Sequence, residues 1–109
     1  DAYAKAGDLS GIERVLGEMR QHRMEPNLVS HNAMLDAHAK RGDSAEVQRL
    51  LLCMLQMRLR PDAVSYNTLL KAHAKRADPV GADAAMAEMR QQRLHPDIVS
   101  LNTLLRAHA

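Results

Sequence analysis

Val64-Ser65-Tyr66-Asn67-Thr68-Leu69-Leu70 is preceded, 35 residues earlier, by Val29-Ser30-His31-Asn32-Ala33-Met34-Leu35. It is followed, 35 residues later, by Val99-Ser100-Leu101-Asn102-Thr103-Leu104-Leu105. Outward from this heptapeptide the same step holds. Lys5, Lys40 and Lys75 keep it, as do Asp8, Asp43 and Asp78, and Pro26, Pro61 and Pro96. Laid over 63–97 without a gap, residues 28–62 agree at nearly half of their positions, so one register governs the chain. It divides into the back part of one unit (1–27), two complete units (28–62 and 63–97) and the first helix of another (98–109). The chain begins at Asp1 without a methionine and so reads as an internal piece of a longer array.

Each unit reads as two helices. In 28–62, Ser30 is a good N-cap type and Ala33, Met34, Leu35, Ala37 and Ala39 favour helix, which predicts a first helix over about 30–40. Gly42 stops it, just past the basic Lys40 and Arg41. Asp43 then caps the second helix, with Glu46 at capping-box spacing. In the next unit Asp78 stands before Pro79, a residue suited to the first helical position. The second helix carries Val47, Leu50, Leu51 and Met54 at i, i+3, i+4 and i+7, which is one apolar face. The same columns hold Ile12, Val15, Leu16 and Met19 before it and Ala82, Ala85, Met86 and Met89 after it. The second helix ends near Met57, and Arg60-Pro61-Asp62 turns into the next unit. A helix pair this short buries its apolar face only by stacking on neighbours, so the expected fold is an all-α solenoid with a concave face. The Ala-rich unit is expected to pack closely and to be the weaker one. The ends of the piece are expected to expose apolar stacking surface.

Composition narrows the class. Hydrophobic residues make up 46% of 109, aromatics only 2% (Tyr3 and Tyr66), which speaks against an aromatic-rich β core. Cys53 is the single cysteine, so no internal disulfide forms and no cysteine-rich metal cluster exists. No apolar run approaches the roughly 20 residues of a membrane span. The formal charge of +2 permits a polyanionic partner without requiring one. No Gly-rich phosphate loop, zinc-deaminase signature or carboxylate cluster for two metals is present, so an enzyme is not expected.

The stretch from Val29 to Asp43, the closing Arg60-Pro61-Asp62 and the heptapeptide Val64–Leu70 resemble the pentatricopeptide repeat, a 35-residue helix-turn-helix unit. The resemblance extends over all 109 residues. The tetratricopeptide alternative has a 34-residue period and a Trp-containing signature, both missing here. The resemblance implies a right-handed superhelix of repeats that binds single-stranded RNA at about one base per repeat. It implies base-selecting pairs Asn32 with Asp62 and Asn67 with Asp97, both favouring uracil, with the Asn32 unit on the 5′ side. Asn27 and Asn102 belong to incomplete pairs. It further implies that Val29, Val64 and Val99 flank the bases and that Lys5, Lys40 and Lys75 approach phosphate. Family members serve chloroplast or mitochondrial RNA processing, stability, editing or translation. Other proteins of an organellar ribonucleoprotein are allowed as partners; no cofactor, membrane or small-molecule substrate is implied.

The residue chemistry agrees with that implication but leaves alternatives. An Asn side chain carries both a donor and an acceptor, as does the uracil edge, and an acceptor-only Asp can orient the amide directly or through water. Two valines can sandwich a planar base by dispersion, and lysines add a salt-sensitive phosphate attraction. The Asn column is equally compatible with a polar first turn, Pro-Asp with turn chemistry, and the valines with a helix staple. His38, His73 and His108, with Tyr3 in the same column, fit packing between repeats better than metal ligation. Met19, Met54 and Met89 belong to the core. Arg20, Arg23, Arg58, Arg60, Arg90 and Arg93 form a solvated face near second-helix ends, some of them placed to touch RNA or a partner. The rival function is a protein-interaction scaffold, or a structural subunit of a ribonucleoprotein, whose concave face holds peptide.

Overall fold

A computed structural model describes residues 9–24 and 27–109. Among them run α1 (Leu9–Gln21), α2 (Leu28–Lys40), α3 (Ser44–Gln56), α4 (Ala63–Lys75), α5 (Pro79–Gln91) and α6 (Ile98–His108), with no strand among the described residues. Tyr3, Lys5, Asp8, Pro26 and the side chain of Ile12 lie outside the description.

The start of the first helices differs from expectation. Ser30 is not the cap: the helix begins at Leu28 and Asn27 caps it. Asn27 Oδ1 accepts the Ser30 N–H at 3.0 Å, and Ser30 Oγ accepts the Asn27 N–H at 3.3 Å. Asp62 and Ser65 do the same for α4, Asp97 and Ser100 for α6. Asx and Ser three residues apart are both good caps. Capping at the Asx lengthens the helix and lets both side chains bond orphan N–H groups. At α3, Asp43 Oδ1 takes the Glu46 N–H at 3.2 Å, but the Glu46 carboxylate turns to Arg49, so the box expected there is one-sided. That bond holds the Glu46 pKa below the usual carboxylate value. At α5, Asp78 caps and Pro79 opens the helix as expected.

First helices end in a left-handed residue. Gly42 has φ +72°, and the Asp43 N–H reaches back to His38 O at 3.0 Å. One period later Ala77 makes the same turn at φ +53°, with the Asp78 N–H on His73 O at 2.9 Å. A Cβ in this region costs about 1 kcal/mol. Ala77→Gly is therefore expected to stabilise the chain by about 1 kcal/mol, read as a raised thermal unfolding midpoint; a lowered midpoint would contradict the turn geometry. Arg23, Arg58 and Arg93 adopt the same conformation after the second helices, their side chains exposed.

Packing follows the repeat. α2 packs on α4 and α4 on α6, while α3 wedges against α2 and α4, and α5 against α4 and α6. No Cα of α3 comes within 8 Å of one in α5. A layer that touches on one side and splays on the other curves with its touching side inward, so the first helices line the inner face. The core consists of Val47, Leu51 and Met54 of α3, Ala82, Ala85, Met86 and Met89 of α5, and Leu35, Tyr66, Leu69 and Leu70 of the first helices. Val15 is exposed; Leu16 and Met19 are half-buried. The Ala-rich α5 sits closer to α4 than α3 does to α2. Gly81 lets it in: a Cβ there would lie 2.4 Å from His73 Nδ1. α6 leaves Leu105 68% exposed, whereas its counterpart Leu70 is fully covered by the packing of α4.

Candidate functional site

α4 has three faces. Tyr66, Leu69, Leu70 and His73 are buried on the core side. Ser65, Thr68 and Ala72, also buried, are small and face the neighbouring first helix, which allows close approach. Val64, Asn67, Lys71 and Lys75 follow at i, i+3, i+7 and i+11, one open stripe. The same stripe is Val29, Asn32, Asp36 and Lys40 on α2, and Val99, Asn102 and Arg106 on α6. Because first helices pack side by side, the three stripes lie next to one another on the inner face. The valines are 75%, 57% and 47% exposed, a large apolar investment in open surface. Asn32 and Asn67 are half-buried, Asn102 exposed.

Each complete unit joins its Asn to the start of the next unit. Asn32 Nδ2 donates to Asp62 Oδ1 at 3.2 Å, and Ser65 Oγ donates to Asn32 Oδ1 at 2.6 Å. One period on, Ser100 Oγ donates to Asn67 Oδ1 at 2.5 Å, and Asn67 forms no direct bond to Asp97. Asp97 accepts the Ser100 N–H at 2.9 Å, and this bond holds its carboxyl below the usual range. The caps are thus the same residues singled out for base selection: Asp62 caps α4 and also accepts from Asn32, whereas Asp97 caps α6 without a bond to Asn67. Asn27 is an exposed cap of α2.

The cationic end of the stripe is a groove of about 490 Å³ lined by Asp36, Ala39, Lys40, Lys71, Ala74, Lys75 and Arg106. Lys40 is tied to Asp36 at 2.6 Å. The Lys75 stem crosses the Gly42 turn. Lys5 falls outside the described residues. Sequence reasoning missed Lys71 and Arg106: their column begins with Asp36, which hides its basic character. It missed Ser65 and Ser100 as partners of the asparagines because it read Ser30, in the same column, as a cap. The recurring Asx-x-x-Ser spacing was the available signal.

The histidines face elsewhere. His38 Nδ1 and His73 Nδ1 are buried without a hydrogen-bond partner. Burial lowers the His73 pKa, opposed in part by Asp78, whose Oδ2 is a poorly aligned 3.4 Å away. Burial also lowers that of His31. His108 Nε2 lies 3.0 Å from Asp83. Among the described residues no three His, Cys, Asp or Glu side chains gather as a metal site. No helix there is long and apolar enough to cross a membrane. The inner face therefore offers a valine and an asparagine at each 35-residue step, a carboxylate bonded to the amide at Asn32, and cations at one end of the stripes. That set suits a polymer of planar, hydrogen-bonding, anionic units.

Comparison with known proteins points the same way. The chain matches the PPR repeat family over residues 26–75 and 61–109, and the pentatricopeptide repeat domain over 1–41. No curated protein sequence matches it significantly. Its fold is similar to the crystal structure of the pentatricopeptide repeat protein PPR10 from maize, with a TM-score of 0.85 and 28% identity over 97% of this chain. The match spans 15% of that protein's length.

Proposed function

Because the chain belongs to the pentatricopeptide repeat family, we propose that its inner face binds single-stranded RNA at about one base per repeat. Asn32 with Asp62 and Asn67 with Asp97 select two successive bases, both preferring uracil, the first on the 5′ side. Asn27 and Asn102 read bases together with residues of adjoining repeats. Val29, Val64 and Val99 flank the bases, while Lys5, Lys40 and Lys75 attract the phosphates. The activity is binding, not catalysis. The reading extends to RNA processing, stability, editing or translation inside chloroplasts or mitochondria, within a ribonucleoprotein; a fluorescent fusion of the full-length protein found outside both organelles would overturn that part.

The observation that carries the proposal is the row of three adjacent valine–asparagine stripes, open on one face although valine is costly to leave in water. The test is a gel shift with oligo-U, oligo-A and oligo-C, repeated with Asn67→Thr. The native chain is expected to prefer oligo-U, and the variant to shift one base toward a purine while leaving the base read by Asn32 unchanged. Equal binding of all three homopolymers by both proteins would sink base readout.

A further inference from the structure

We propose that Ser65 and Ser100 are specificity-positioning residues, each locking the reading asparagine of the preceding repeat from the first turn of the next. The inference rests on the RNA reading above and adds a residue to it.

The hydrogen-bond inventory carries it. Ser65 is fully buried, so its hydroxyl needs internal partners. The hydroxyl has one proton and lies 2.6 Å from Asn32 Oδ1 but 3.0 Å from Asp62 Oδ1. The shorter, neutral contact takes the proton, because Asp62 Oδ1 already accepts the Ser65 N–H at 3.1 Å and Asn32 Nδ2 at 3.2 Å. Ser65 Oγ in turn accepts the Asp62 N–H at 3.2 Å. The Asn32 amide is thereby oriented: one lone pair of its oxygen holds the Ser65 hydroxyl, one Nδ2 proton is on Asp62, and one Nδ2 proton remains open. Asp62 Oδ2 also remains open as an acceptor. One donor beside one acceptor is the complement of a uracil carbonyl next to N3–H. Released from the serine, the amide can turn its oxygen to the base and accept from the exocyclic amino group of cytosine.

The second site repeats the arrangement with one support fewer. Fully buried Ser100 donates to Asn67 Oδ1 at 2.5 Å, and no Asn67–Asp97 bond shares the work. Ser100 is therefore the main restraint on its asparagine, whereas Ser65 shares the role with Asp62. The two serines thus act with unequal weight and on adjacent bases.

The experiment uses the whole chain with uridine oligomers carrying cytidine at one position at a time. Affinity is read by fluorescence anisotropy, and folding by circular dichroism. Ser100→Ala is expected to lower the uracil-over-cytosine ratio at the base read by Asn67 by roughly three- to tenfold, the worth of one net hydrogen bond. Ser65→Ala is expected to change the neighbouring base, by only about twofold. Ser100→Thr keeps the hydroxyl and is expected to keep the ratio. A merely structural serine would weaken all oligomers alike, so a uniform loss, or an unchanged ratio in folded Ser100→Ala, overturns the proposal. A native chain that ignores the cytidine at every position overturns the base-selective reading on which the proposal rests, and is told apart by needing no variant.

Discussion

Leu70→Ala is expected to destabilise the chain by about 2–5 kcal/mol, measured by urea unfolding followed by helical circular dichroism. Leu70 is fully buried on α4, which among the described residues is the one helix that packs on four others. In a stack where each unit touches only its neighbours, no distant contacts compensate for a cavity. Against a total of roughly 5–15 kcal/mol for a chain of this size, the loss is a large fraction and is read as a clearly lowered urea midpoint. The repeat supplies an internal control. In this 109-residue chain Leu105 occupies the same column one period later and is 68% exposed on α6. Leu105→Ala removes the same atoms and is expected to cost no more than about 0.5 kcal/mol. Equal costs for the two substitutions would contradict the packing.

That pair also shows what sequence could and could not disclose. The 35-residue period, the all-α class, the Gly42 turn, the Asp43 and Asp78 caps and the apolar face Val47–Leu50–Leu51–Met54 depend on local preference and helical spacing, and all were readable. The inner stripe was legible as columns, because Val64 and Asn67 recur with the period. What it faced was not: Leu70 and Leu105 both close the run Asn-Thr-Leu-Leu in the same column and are opposite in exposure, since burial depends on which helices pack alongside. The serines failed for a different reason. Ser65 and Asp62 are both N-cap types, and only the three-dimensional register shows that Asp62 takes the cap while the Ser65 hydroxyl crosses to Asn32. Lys71 and Arg106 share a column with Asp36, so the column changes sign along the sequence and does not read as basic. The groove appears only when three helices are brought together.

That groove sets the other large expectation. Lys40, Lys71, Lys75 and Arg106 against Asp36 give a local formal charge of +3, and the Asp36–Lys40 pair at 2.6 Å leaves Lys71, Lys75 and Arg106 as the free cations. Lys71→Glu combined with Arg106→Glu turns +3 into −1. Both side chains are exposed, so the fold is expected to persist. Oligo-U affinity is expected to fall on the order of 10–100-fold at about 0.1 M salt, and the dependence of log K on log salt to flatten by about 1.4, two phosphate contacts at roughly 0.7 each. Fluorescence anisotropy across a salt series measures both. The control is Arg58→Glu with Arg93→Glu, which changes net charge identically but acts at the exposed turns after the second helices. If the phosphates follow the inner groove, this control is expected to weaken binding by no more than about threefold, the long-range share of a screened surface charge. Equal losses from the two double variants would mean that RNA responds to total charge alone, and that the groove between the first helices holds no strand.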